Sequence, residues 1–317
     1  MTNSNYLFVL GASDPEMSAI ENLLLNCGQI SIQAVVDGRR VHPGNAYKYS
    51  VSREQLSEAG FAETMTSGAT LVFVECGADP LPEGSIRVDH HRPGDPGYGR
   101  PPAEYWEASS IGQIFQLIAA LGGDLSNPLT RCSGVRHYCL SPSMAEKERS
   151  AFLGDGEPFA GEVRKWFAIP AESLMMIAAA DHCLAAAYRG QCPGVDPQAL
   201  RAWRIESRAE FQGRSKEALT ADIERAEAAL RAAPRIEIGG IEIADLRGPA
   251  IPELPEAATY LGLGYLAEVA DRDGQRKIVI SAGENTLREF MESWASAQGL
   301  TDIYGDPVRG FAGGYVQ

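Results

Sequence analysis

The continuous apolar run YLFVLG (6–11), with TLVFVECG (70–77) as a further strand, limits what this chain can fold into more than any other feature. A strand with one wet face alternates apolar and polar residues. A strand covered on both faces is apolar throughout, which is the mark of a parallel sheet flanked by helices. The neighbouring segments supply the remaining layers. PEMSAIENLLLNCG (15–28) places apolar residues at helical period, with Gly28 as its stop. SIQAVVDG (31–38) reads as a second strand and SIRVDH (85–90) as a fourth, while Ala108 to Leu121 reads as a helix that opens near Ser109 and Ser110. Strands alternating with helices in this way predict an α/β fold, a parallel sheet with crossover helices.

Beyond residue 121 the pattern changes. Residues 124–168 are polar and rich in Gly and Pro, and predict an irregular insertion. AESLMMIAAADHCLAAAYRG (171–190) is helical in composition, and SKEALTADIERAEAALRAA (215–233) predicts a solvent-exposed connecting helix. After Pro234 come RIEIGGIEIADL (235–246), the segment YLAEVADRDGQRKIVIS (265–281) turning at Asp273-Gly274, and a helix over 285–298. These predict a smaller α+β domain. A chain of 317 residues is long for one core. The expected organisation is a first domain over 1–190, a helical connector over 191–234 and a small second domain over 235–317.

A net charge of −14 disfavours long duplex nucleic acid as a partner, because the phosphate backbone is repelled. It leaves a small phosphorylated ligand open, held at a local cationic or metal-bearing site. No run of 18 or more apolar residues suggests a membrane span, and MTNSNYLFVLGAS lacks the cationic start of an export signal. A cytoplasmic location is therefore expected. The six cysteines show no C-x-x-C pairing and are expected as reduced thiols. A zinc site from Cys132, His137 and Cys139 fits no standard finger or ribbon spacing.

Function in an open α/β sheet collects beyond the carboxyl ends of its strands. There this sequence offers Asp14 and Glu16 after strand one, Glu75 after strand three, and Asp89, His90 and His91 after strand four. The helical segment adds Asp181 and His182. Crowded carboxylates repel unless cations neutralise them, and an oxygen/imidazole mix suits Mn²⁺, Mg²⁺, Fe²⁺ or Zn²⁺. Each piece also has a purely structural reading. Ser13-Asp14-Pro15-Glu16 makes a good helix start, Glu75 could be solvated, and Asp181-His182 could be a helix face. At the end of a strand, His90 and His91 are expected to point to opposite faces.

The order D-x-E, V-E-C-G, V-D-H-H and a later Asp resembles the DHH phosphoesterase superfamily, whose motifs take the forms H-x-x-x-D-x-D, V-D-C-G, D-H-H and a further aspartate. Members include RecJ-type nucleases, oligoribonucleases, cyclic-dinucleotide phosphodiesterases and manganese-dependent pyrophosphatases. The family's catalytic domain precedes a smaller C-terminal domain ending in a GGGHxxAAG-type segment, of which VRGFAGGYVQ is a partial echo. The resemblance implies two Mn²⁺ or Mg²⁺ ions. Asp14 would bind one and Glu16 the other, Glu75 would bridge them, and His90 and Asp181 would complete the second site. His91 would face the substrate phosphate, and Asp89 would orient the histidines. Arg309, aligned with the family's C-terminal histidine, would contact phosphate, as would Arg100 in the Pro/Gly loop RPGDPGYGRPP (92–102), with Tyr98 placed against a base.

This chain departs from the pattern. Leu10 stands at the family's leading histidine, glutamates replace aspartates at 16 and 75, and Asp306, Pro307 and Val308 replace the glycines before Arg309. One metal site would then be weakened, with His182 or His42 to supply the missing imidazole. The resemblance implies a cytoplasmic metal-dependent phosphoesterase that hydrolyses a short oligonucleotide, a cyclic dinucleotide or a nucleotide by metal-activated water. Pairing as a homodimer is compatible with it. The departures keep two alternatives open: a weakened DHH-fold protein that binds a nucleotide or partner without turnover, and a pyrophosphatase-like enzyme. A Rossmann loop at FVLGAS is disfavoured because the later glycines are missing. Trp106, Trp166 and Trp203 are assigned to packing.

Overall fold

The computed structural model describes residues 6–27, 29–61, 68–121, 171–271 and 274–316. The Gly28 stop, the 124–168 insertion, the Cys132, His137 and Cys139 group, Trp166 and Asp273 lie outside them. The chain divides into two compact units, Met1–Arg204 and Ile205–Gln317.

In the first unit, β1 (Tyr6–Leu10) leads into α1 (Pro15–Asn26) and β2 (Ile30–Gln33). A two-strand ribbon follows, β3 (Val35–Val36) and β4 (Arg39–Arg40), and then β5 (Thr70–Val74) and β6 (Ile86–Val88). The sheet is fully parallel in the order β2-β1-β5-β6. Leu7 and Val9 of β1 join Leu71 and Phe73 of β5 in one core cluster, whereas the alternate residues Phe8, Leu10, Val72 and Val74 are equally buried. Both faces of the central strands are thus covered, which is why their sequences are continuously apolar. Leu10 is a core residue, 1% exposed.

The expected single strand over 31–38 is broken. The Ala34 amide makes the last rung to β1, donating to the Leu10 carbonyl, and its own carbonyl accepts the Val41 amide, while Asp37-Gly38, both at positive φ (52° and 72°), turns the chain into the β3–β4 ribbon. A tight hairpin needs that left-handed pair, and Asp-Gly is its preferred chemistry. Strand β6 ends at Val88, two residues short of His90.

α2 (Ser110–Leu121) and α3 (Ala171–Tyr188) complete the unit's main helices. α3 is kinked, leaving helical dihedrals at Cys183 (φ −151°, ψ 44°). Trp106 is buried with its ring edge-on to Phe115, so it packs as expected, and Trp203 is half-buried. α4 (Pro197–Phe211) spans the point of division.

The second unit holds α5 (Lys216–Ala232), capped by the Ser215 hydroxyl, and a six-stranded sheet in the order β11-β12-β10-β9-β8-β7. Its strands are β7 (Arg235–Ile238), β8 (Ile241–Leu246), β9 (Tyr265–Ala270), β10 (Arg276–Ser281), β11 (Leu300–Asp306) and β12 (Phe311–Val316). All neighbours are antiparallel except β8 and β9, which α6 (Leu254–Leu261) connects. The expected hairpin over 265–281 is the β9–β10 pair. The helix expected over 285–298 runs as α7 (Glu284–Glu289), widens by a π-type turn over Phe290–Trp294 and closes at Ala295–Ala297. Buried residues cover both faces of this sheet, Leu230 and Ala257 with Tyr265 on one side and Leu287 and Phe290 with Leu266 on the other. The molecule is therefore an α/β protein whose parallel-sheet unit precedes a sheet-rich one. Among the described residues no helix is long and apolar enough to cross a membrane.

Candidate metal centre

Glu16, Glu75, His90 and Asp181 each place a ligand atom within 4.8 Å of the others, and Glu75 and His90 form a second such group with His91. They arrive from four segments: the first turn of α1, the ends of β5 and β6, and the middle of α3. Glu75 and His90 follow strand ends and Glu16 opens a helix at the carboxyl edge of the parallel sheet, the usual place for chemistry in such a sheet.

Local structure explains each position. Asp14 is the N-cap of α1, its Oδ1 accepting the Met17 amide at 2.7 Å, with Pro15 in the first turn. Glu16 reaches away from its own helix, and its Oε1 accepts the Ile111 amide at 2.8 Å, at the positive end of α2. Glu75 sits at φ 51°, a left-handed conformation rarely occupied by a residue with a side chain, and its amide donates to the Val88 carbonyl. Strain of this kind is tolerated mostly at functional sites. Gly11, opposite, has no room for a side chain, since a Cβ there would lie 2.4 Å from the Glu75 carbonyl oxygen.

The two histidines do not diverge as strand alternation predicts. Because β6 has already ended, the backbone is free to turn, and the rings stack with centroids 4.2 Å apart. Asp89 meets the two histidines unequally, bonding both backbones but only the His91 ring. Its Oδ1 accepts His91 Nδ1 at 2.9 Å and the amides of His90 and His91 at 2.8 and 3.0 Å, and its Oδ2 accepts the Tyr47 hydroxyl at 3.0 Å. The His90 ring is held instead between Ser110 Oγ, 3.3 Å from Nδ1, and Asp181 Oδ2, 2.8 Å from Nε2.

Crowding of acids in a dry site governs the electrostatics. Burial, then the neighbouring Asp181, pushes the Glu75 carboxyl up to about 7 and that of Asp14 up to about 6. The same causes, with Glu75 added, hold Glu16 well above the carboxylate range. Burial also works against an ionised Asp181, but the His90 imidazole, 2.8 Å away, overrides it and keeps that carboxyl well below the usual range. For His91, burial disfavours the cation, yet the hydrogen bond to Asp89 overcomes it and raises the imidazole to about 9. Burial and then the His90 charge lower His182.

The residues fit a divalent cation. Three carboxylates and an imidazole match hard to borderline ions. Glu16 Oε2 and Glu75 Oε1 are buried acceptors with no hydrogen-bond partner, and Asp181 Oδ2, though close to His90, lacks hydrogen-bond alignment. Buried acceptors without partners are costly, and here a cation would satisfy them. Asp14 is not within either 4.8 Å group, one of its oxygens being taken by the cap.

The other expected contacts fall elsewhere. The Arg100 guanidinium turns outward to Glu104 at 3.0 Å, and its loop meets this region through the Arg100 carbonyl, 3.2 Å from His182 Nε2. The His182 ring lies edge-on to His90, centroids 5.3 Å apart, whereas His42 is exposed and its ring accepts the Gly44 amide. Tyr98 is half-buried. Arg309 belongs to the second unit, on the exposed turn between β11 and β12. Reading the sequence missed Tyr47, whose ring also carries the Arg92 guanidinium at 3.5 Å, and the role of Ser110. For Ser110 the available signal was its place at the start of a helix facing the strand ends. Tyr47 lies in an irregular segment that gives none.

No family model matches the chain, and no curated protein matches it. Among solved structures, a pGpG-specific phosphodiesterase, PggH from Vibrio cholerae, is similar at a TM-score of 0.37 and 11% identity, over 98% of this chain and 92% of that one.

Proposed function

We propose that this protein is a cytoplasmic, divalent-metal-dependent phosphoesterase of the DHH type, acting on a short oligonucleotide, a cyclic dinucleotide or a nucleotide. The observation that carries this reading is the group of buried Glu16, Glu75 and His90 with half-buried Asp181, and its unpartnered carboxylate oxygens. In this reading Glu16, Glu75, His90 and Asp181 hold Mn²⁺ or Mg²⁺, and Asp14, outside that group, would serve a second ion. A bound divalent cation supplies a Lewis acid that activates water and offsets charge on a phosphoryl group.

The remaining roles belong to side chains. Asp89 fixes His91 with Nδ1 as donor to its carboxylate, which leaves Nε2–H to meet a phosphate oxygen. A cationic imidazole there favours an anionic substrate and disfavours a neutral one. Ser110 and Asp181 hold the His90 ring, and the apolar walls of the sheet keep bulk water from weakening these contacts. In the second unit, Arg309 would offer a phosphate contact and residues 235–317 a substrate-binding domain.

A second reading, a binding module without turnover, is favoured by one observation: Leu10 is packed in the core where the family places a ligating histidine. A screen of purified full-length protein with Mn²⁺ or Mg²⁺ over pApA, cyclic dinucleotides, nucleoside bisphosphates and pyrophosphate separates the readings. The phosphoesterase predicts metal-dependent release of product, reduced on the order of 100-fold or more by His90→Ala. Activity that survives both chelator and His90→Ala places the chemistry elsewhere. Stoichiometric metal-dependent ligand binding with no product supports the binding module, and hydrolysis of pyrophosphate alone supports the pyrophosphatase-like alternative.

A further inference from the structure

Cys183 and Cys192 have no part in the reading above. Both are free thiols, and their sulfurs lie 3.0 Å apart. A bonded pair sits at about 2.05 Å, so closing the gap takes a movement of about 1 Å. The local fold holds them in place. α3 breaks at Cys183 and ends at Tyr188. The amides of Gly190 and Gln191 then donate to the carbonyls of Ala187 and Ala186, which turns the chain back along the helix. Cys192 lands on Cys183 and is almost fully buried, its carbonyl accepting the Val195 amide, while Cys183 keeps partial exposure. The other described cysteines are placed differently: Cys76 lies in the core with its sulfur against the Val9 carbonyl, and Cys27 follows α1.

We infer that Cys183 and Cys192 form a reversible disulfide site, oxidised by low-molecular-weight disulfides of the glutathione class. One thiolate of the pair attacks one sulfur of the oxidant and expels one glutathione thiolate, leaving a mixed disulfide. The other thiolate then attacks that cysteine's sulfur, forms the Sγ–Sγ bond and expels the second glutathione. The two cysteine protons end on the two released thiols, and two electrons pass from the protein to the oxidant. Because Asp181 precedes Cys183 by two residues on α3, the bond ties the segment that carries this acid to the loop behind it. The inference does not depend on the phosphoesterase reading, since it is tested by covalent chemistry alone.

The full chain, equilibrated in glutathione redox buffers and blocked with iodoacetamide, is digested with trypsin without reduction. Cleavage after Arg189 separates Cys183 (peptide 166–189) from Cys192 (peptide 190–201). The site predicts that these two peptides are recovered joined and come apart on reduction. Folding should also raise the ratio of squared glutathione to oxidised glutathione at half-oxidation, on the order of tenfold or more above that in urea, because the fold supplies the effective concentration. Full alkylation of both cysteines in the native chain, separate glutathione adducts on each, bonding to any other cysteine, or an equal midpoint in urea would overturn it.

Discussion

Replacing Glu75 by Gln tests the crowded-acid site through stability, without requiring any activity. The Glu75 carboxyl is 6% exposed, and burial followed by the charge of Asp181 raises it from 4.5 to about 7. Inside the fold it binds its proton more tightly than in the unfolded chain. The stability this confers is therefore complete below about pH 4.5 and is lost as pH rises through about 7. At about 1.4 kcal/mol per tenfold change in proton affinity, the loss amounts to about 3 kcal/mol. Gln has the shape of the protonated acid and cannot ionise. In chelator, the variant should match wild type near pH 4 and exceed it by about 3 kcal/mol near pH 8. Saturating Mn²⁺ should reverse the order at about pH 8, because a ligand at a thousand-fold excess over its Kd stabilises the protein that binds it by about 4.1 kcal/mol. Urea unfolding followed by hydrogen-exchange protection of β1 and β5 reads the first unit alone. A difference between variant and wild type that is the same at both pH values would refute the reasoning, as would a wild type that gains on the variant as pH rises without metal.

Two further substitutions probe the support around the site. Asp89→Asn removes the charge that holds His91 near 9, so imidazole NMR should show that residue titrating about one pH unit lower or more, burial now acting against the cation; an unchanged titration would disprove the coupling. Gly97→Ala would set a Cβ 1.9 Å from the Ala108 carbonyl oxygen and 2.7 Å from His90 Cβ, and should cost about 1–3 kcal/mol. Gly248→Ala, with open space around it, should stay within about 0.5 kcal/mol, and equal effects in urea titrations would contradict the packing.

Much of the fold was legible because its signals are local or periodic. The runs at 6–11 and 70–77 announce strands covered on both faces, and Asp14-Pro15 announces a helix start. The break at Ala34 was not, since it depends on the Ala34 carbonyl accepting the Val41 amide across the ribbon, although Asp37-Gly38 carried a turn signal that outweighs the strand propensity around it. In the site, motif order singled out Glu16, Glu75, His90 and Asp181, which the structure brings together. The stacking of His90 on His91, the division of labour between Asp89 and Ser110, and the Tyr47 contact were not legible. They follow from where β6 stops and from side chains meeting across tens of residues, which no periodicity encodes.

Position 75 is also where selection for robustness and selection for chemistry part company. Its left-handed backbone costs a side-chain-bearing residue on the order of 1 kcal/mol, which glycine would not incur, and glycine would also abolish the buried acid. A laboratory lineage evolved for heat resistance in chelator would drift toward glycine there and gain melting temperature with each step. Under the proposed metal-dependent function, the same lineage grown with manganese would keep the glutamate, so the residue that persists at one backbone position would record whether the cation was present.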